Sequence, residues 1–458
     1  MENKREKLGS RLGFIFLSAG CAIGLGNVWR FPFITGQYGG AAFVLVYILF
    51  LIVLGLQIMT MEFSVGRASG QSSINSFKRL EPEGTKWHLN GIMGFLGNIV
   101  LMMFYTTVTG WMLAYFWYSL SGKLCVLTPD EIGQTFGALL SNPASLIFWM
   151  LLSVAAGTLI CFSGLQKGVE NVTKIMMIAL LVLVLSLALR SVTLDGASKG
   201  LEFYMKPDFG KLVEHGLWTS IYAALGQAFF TLSLGIGALA IFGSYIGKER
   251  TLMGEAACVI ALDTFVALMS GFIIFPSCFA YGVDAGAGPG LIFVSLPVMF
   301  NHMTGGRFWG TLFFLLMSFA AMSTVIAVFE TILANAIDTR GWSRQRAAFT
   351  TGLLIAVLSV PCCLGFNLWA DFQPLGKGTC VLDLEDFIVS NNLLPIGSLF
   401  YLFFCTRKNG WGWDNFIKEV NTGRGIKFPV CVRWYVTYII PVIMTVVIVW
   451  GYIDKFMK

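Results

Sequence analysis

Apolar residues dominate the chain in long runs, parted by short polar connections. The runs lie near 12–37, 41–66, 92–121, 145–163, 168–190, 217–243, 254–281, 308–337, 347–364, 383–405 and 433–452. Most are long enough to carry a helix across a bilayer, which takes about 20 residues, so the pattern predicts eleven membrane-spanning helices. Two of the runs are interrupted. Gly24-Leu25-Gly26 breaks the first and Gly235-Ile236-Gly237 breaks the sixth. A helix broken inside a bilayer must satisfy its freed N–H and C=O groups without water, so such breaks survive only beside a protein-enclosed cavity. Broken helices in corresponding positions of two halves are where secondary transporters bind substrate and ions. The pattern therefore points to transport.

Composition agrees with that reading and removes others. Of 458 residues, 56% are hydrophobic and 12% charged, whereas soluble domains carry about a quarter charged residues. The net charge of +6 follows from topology rather than from a nucleic-acid partner. With the N-terminus placed in the cytoplasm, about two-thirds of the Lys and Arg residues fall in inner segments, the bias that orients membrane proteins. Eleven crossings then put the C-terminus outside, in a multi-pass protein of the cell membrane. The basic start followed by an apolar run has no small-residue cleavage site and reads as a retained first helix. Gly- and Pro-rich residues 282–290 with Pro297 suggest an outer loop that folds back. Ten cysteines show no C-x-x-C spacing, which excludes the usual zinc and redox motifs; Cys125 and Cys380 fall in outer loops where they could pair. His88, His215 and His302 have no ligand-like spacing, and no nucleophile–base set indicates an enzyme.

Polar side chains gather around the breaks. Asn27 follows the first; Thr231 and Ser233 precede or enter the second; Ser323 and Thr324 sit midway along the eighth run, and Asp263 lies inside the seventh. A helix N-terminus offers unpaired N–H groups to a carboxylate, while the free carbonyls at the end of the preceding half-helix suit a small cation. An aspartate within an apolar span costs several kcal/mol unless paired, so Asp263 reads as functional. Glu62, in the second span, is expected to bond the broken backbone.

The runs RLGFIFLSAGCAIGLGNVWRFP (11–32), GQAFFTLSLGIGA (226–238) and FAAMSTVIAV (319–328) together resemble the neurotransmitter:sodium symporter family, most closely its bacterial hydrophobic amino-acid transporters. The resemblance implies an all-α membrane fold of 5+5 inverted repeats, about 11–190 and 217–405, with helices 1 and 6 broken and one extra C-terminal helix at 433–452. It also implies two sodium sites. The first would use the Ala22 carbonyl with Asn27, Thr231 and Asp263; the second would use carbonyls of Gly20, Ile23 and Ala320 with the hydroxyls of Ser323 and Thr324. A substrate carboxylate would rest on the Gly26 N–H and the Tyr105 hydroxyl. Its amine would face carbonyls of Ala22, Phe230 and Thr231 and the Ser233 hydroxyl, and its side chain would meet Leu101, Tyr105, Phe230, Ile236 and Val328. Arg30 with Asp386 resembles an outer gate, and Arg5 with Asp338 an inner one.

Departures from the family pattern sharpen the expectation. Gly24 stands where monoamine carriers have an aspartate, which favours an amino acid over an amine. Asp263 replaces an asparagine of many members and could supply the charge that a chloride near Tyr47, Gln227 and Thr231 gives the animal proteins, so transport is expected to be chloride-independent. Leu8 takes the place of the usual inner-gate tryptophan, and Ile178 that of a proline in span five. The expected activity is sodium-coupled import of a bulky aliphatic or aromatic amino acid by alternating access, probed against the rival reading of a membrane sensor that binds an amino acid without moving it.

Overall fold

The computed structural model describes residues 6–214, 216–283 and 290–456. Apolar, unbroken sequence gives helix wherever the chain must hide its own backbone from lipid. Among the described residues nine helices are long and apolar enough to cross a membrane: Ala41–Ser69, His88–Leu120, Pro143–Phe162, Leu165–Val192, Leu252–Tyr281, Gly306–Arg340, Arg344–Leu364, Val381–Thr406 and Val430–Ile453. Arg11–Ala22 and Gly26–Gln37 form a further crossing, bent by 54°. Leu217–Thr231 and Ala238–Tyr245 flank the second break, each too short to span alone. The apolar runs are numbered below as spans one to eleven in chain order. The boundaries follow local chemistry. Ser10 accepts the Gly13 N–H at the start of span one, the N-cap role of a serine, and Gly70, Gly282 and Gly341 end spans two, seven and eight in left-handed conformation, as C-cap glycines do.

Burial sorts the spans into inner and outer. In span eight 83% of the most apolar window is buried, against 33% in spans four and eleven. The outer spans instead show Leu159, Ile175, Leu189 and Val442, the face that meets acyl chains. Span eight lies along span three at the centre and also touches spans one, four and five. The expected fold-back of the outer loop is partly outside the described residues, which omit 284–289. The part that follows, Leu291–His302, is helical and packs inward. Its Phe293 ring stacks on Phe136 at 4.5 Å and meets Trp29, Trp111 and Tyr115 edge-on.

At the opposite end, ion pairs fasten the start of span one. Glu170 accepts from the Gly9 N–H at 2.6 Å and the Ser10 hydroxyl at 2.9 Å, and pairs with Lys174. Arg11 pairs with Glu255 of span seven. Arg344 joins Glu6 at 2.8 Å to the fully buried Glu330, whose carboxylate also accepts from Tyr245. Leu8, in place of a tryptophan, packs against the core and donates its N–H to the Tyr245 carbonyl.

Candidate functional site

The two breaks face each other, and the groups they free find partners across the gap. In the first, Ile23 leaves the helix with extended backbone. Its neighbours are satisfied one by one: the Gly24 N–H donates to Asn27 Oδ1 at 3.0 Å, the Leu25 N–H to the Tyr105 hydroxyl at 3.1 Å, and the Gly26 carbonyl accepts from Gln227 Nε2 at 2.8 Å. The second break is wider, covering 232–237, and turns through positive φ at Ser233 (51°), Gly235 (94°) and Gly237 (79°). Glu62 accepts the Gly235 N–H, as expected for that buried acid, and Asn98 Nδ2 holds the Ile236 carbonyl at 2.8 Å. Asn98 carried the same signal in the sequence as Asp263, a polar side chain in an apolar span, and was not singled out.

Between the breaks lies a cavity bounded by Ala22, Gly24, Gly26, Leu101, Tyr105, Phe230, Thr231, Ser233, Ile236 and Thr324. Those are the residues expected around a substrate, with one exception. Val328 is fully buried one helical turn beyond Thr324 but does not reach the cavity wall. Cys21, Val389 and Leu394 complete the wall; as apolar residues in apolar helices they carried no signal. The void admits the centre of a water-sized sphere over only ≈ 20 Å³, space for about one water, so a larger ligand enters by displacing a wall. Gly24 and Gly26 are glycines for want of room. A Cβ on Gly24 would stand 2.4 Å from Tyr105 Oη and 2.7 Å from Thr324 Oγ1, and one on Gly26 2.9 Å from the Phe230 ring.

On one side of the cavity Asp263 is fully buried and surrounded by donors. Asn27 Nδ2 lies 2.8 Å from its Oδ1, the Thr231 hydroxyl 3.2 and 3.3 Å from its two oxygens, and the Tyr47 hydroxyl 3.5 Å from Oδ2. These are oxygen-rich groups suited to a hard cation. On the other side the Ser323 hydroxyl reaches the carbonyls of Ile23 at 3.3 Å and Ala320 at 2.9 Å, and the Thr324 hydroxyl reaches that of Gly20 at 3.2 Å. All five residues expected at a second ion site are thus within one small shell. Among the described residues no group of three or more His, Cys, Asp and Glu side chains could hold a transition metal.

The gates differ from expectation. Arg30 does not pair with Asp386: its guanidinium lies over the Phe230 ring, 4.4 Å from the centroid, with Nη1 buried and without a hydrogen bond. Asp386 accepts instead from the Ser390 hydroxyl at 2.6 Å, a local bond on its own helix that needs no closure. At the inner end Arg5 lies outside the described residues, and Asp338 accepts the Ser72 N–H at 2.6 Å. Cys125 and Cys380, which the loop positions allowed to pair, are both free thiols.

The family model for the sodium:neurotransmitter symporter family matches residues 5–135 and 137–457. The chain belongs to this family. It is a multi-pass, sodium-coupled membrane transporter and not an enzyme. The uncharacterized sodium-dependent transporter YhdH of Bacillus subtilis is 35% identical over 407 residues, 89% of each chain. A sodium-dependent transporter of Haemophilus influenzae is 33% identical over 97% of this chain and 98% of its own. Among solved structures the symporter is similar to MhsT, crystallised in complex with L-phenylalanine, with a TM-score of 0.87 and 37% identity over 97% of this chain and 99% of that one.

Proposed function

We propose that this symporter imports a hydrophobic amino acid, aliphatic or aromatic, together with two sodium ions and without chloride. The carrying observation is the small cavity between two broken helices, polar at one end and apolar at the other, with an oxygen shell on either side. The Gly26 N–H and Tyr105 hydroxyl suit a carboxylate, and Leu101, Ile236, Val389 and Leu394 suit an apolar side chain. No acid stands at Gly24 to bind a bare amine, and a Cβ there already collides. MhsT with its phenylalanine supports the same substrate class.

Sodium at Ala22, Asn27, Thr231 and Asp263 would share the substrate carboxylate, so each ligand favours the other's binding. The second ion, at Gly20, Ile23, Ala320, Ser323 and Thr324, would pin the first half of span one to span eight. Tyr47 and Thr231 already bond Asp263; with sodium bound beside it, that carboxylate would supply the negative charge of the site in place of a bound anion. With the second broken pair taken as one crossing the reading has eleven spans, and the positive-inside bias would put the N-terminus inside and the C-terminus outside. Inward sodium movement supplies about 2.3 kcal/mol per charge per 100 mV.

Uptake of radiolabelled leucine and phenylalanine into proteoliposomes tests the proposal. Accumulation is expected with an inward sodium gradient, not with potassium, to the same level in gluconate as in chloride, and not in Asn27→Ala or Asp263→Ala. Binding without accumulation would replace transport by sensing, and collapse in gluconate would overturn chloride independence.

A further inference from the structure

Away from the transport pathway, a groove of ≈ 480 Å³ opens where span three begins and span ten ends, at the end of the molecule where the sequence gathers its lysines and arginines. The volume falls in the range of about 300–1,000 Å³ that small-molecule sites occupy. Its upper rim is the connection before span three. Lys86 is exposed there, and the Trp87 indole is fixed by donating Nε1–H to the Asn409 carbonyl at 2.6 Å. Its floor is apolar and continues onto the outer face of the helices through Leu89, Met93 and Phe400, with Leu89 54% exposed.

One residue in this groove lacks an explanation within the fold. Asn90 is only 4% exposed and lines the groove, yet neither its amide nitrogen nor its amide oxygen has a hydrogen-bond partner. A buried amide left unpaired is destabilising, and span three could carry an apolar residue there without that cost. An external ligand with both donor and acceptor groups would remove the penalty. Charge adds a second constraint. Lys86 stands at the rim and Lys408 adjoins Asn409, while the nearby carboxylate of Glu81 is engaged by the His88 ring and N–H, leaving Glu83 as the exposed acid of the loop.

We infer that the groove binds an anionic glycerophospholipid of the inner leaflet, with its phosphate at Lys86, its headgroup or ester oxygens on the Asn90 amide, and one acyl chain along Leu89, Met93 and Phe400. The placement has the order of a bilayer: cation and tryptophan at headgroup depth, apolar surface one helical turn deeper. The walls belong to spans three and ten, neither of which is broken at the cavity.

Native mass spectrometry of the full chain, released from nanodiscs of equal phosphatidylglycerol and phosphatidylcholine, tests the inference. The wild type is expected to retain phosphatidylglycerol preferentially. Lys86→Gln should lower that retention about fivefold, the factor one basic side chain near an anionic surface is worth. Asn90→Leu, which fills the groove, should abolish it. Because Asn90→Leu alters a buried position, Lys86→Gln is the deciding variant. Equal retention of the two lipids, or unchanged retention in Lys86→Gln, would overturn the proposal. Thermal stabilisation by inorganic phosphate equal to that by phosphatidylglycerol would also overturn it, since a free anion would then suffice. Sodium-driven uptake, which Lys86 does not touch, serves as the control for folded protein.

Discussion

The two helix breaks perform similar topological work with different chemistry. In span one the chain stays at negative φ, and its glycines make room: Gly24 for the Tyr105 and Thr324 hydroxyls, Gly26 for the Phe230 ring. In span six Gly235 and Gly237 are there for conformation as well, at φ of 94° and 79°, with the Gly235 backbone pressed against Leu394 and Ser398 of span ten. The first break is shaped by what faces the cavity. The second is shaped by what holds it to its neighbours: Glu62 of span two, Asn98 of span three and the backbone of span ten. A glycine pair therefore has no single meaning, even within one protein.

Substitutions separate the two cases. Gly235→Ala combines left-handed strain of about 1–3 kcal/mol with a Cβ 2.2 Å from the Leu394 carbonyl, a backbone atom that cannot step aside. Loss of folded, monodisperse protein on size-exclusion chromatography is the expected result, and a well-behaved variant would break the distinction. Gly24→Ala meets only side-chain ends and carries no φ penalty. It should cost about 1–3 kcal/mol of stability, the usual cost of overpacking, leaving a folded protein, yet lose sodium-dependent substrate binding in a scintillation proximity assay. Asn98→Ala leaves the Ile236 carbonyl without its side-chain donor and should cost about 1–3 kcal/mol of stability. Thermal melts in detergent, with and without sodium, would show it; an unchanged melt would mean that the second break does not depend on its brace.

Much of this arrangement was legible in the sequence because polar residues in apolar helices are conspicuous. Asp263, Asn27 and Thr231 stood out for that reason, and so did Ser323 and Thr324; the structure brings each set together. Span positions were equally plain, since apolar length is a local property. The rest depended on partners far away in the chain. Glu170, Glu255 and Arg344 sit near helix ends, where a charge is ordinary, and only the fold joins them around the start of span one; Glu330, buried inside span eight, carried the same signal as Asp263 and was not singled out. Val389 and Leu394 are apolar residues in an apolar span, so nothing marked them as cavity wall. Arg30 was visible, but its position over Phe230 rather than beside Asp386 depends on side-chain geometry that a sequence does not encode.

The hydrogen bonds of Asp263 reach further than an ion site requires. They come from Asn27 in span one, Tyr47 in span two and Thr231 in span six, while the aspartate itself stands in span seven. One carboxylate is thus the common joint of four helices. In the proposed first sodium site, a cation beside it would pull on all four together and stiffen them as a unit. An occupancy event a few ångströms across would in this way be felt by four helices at once.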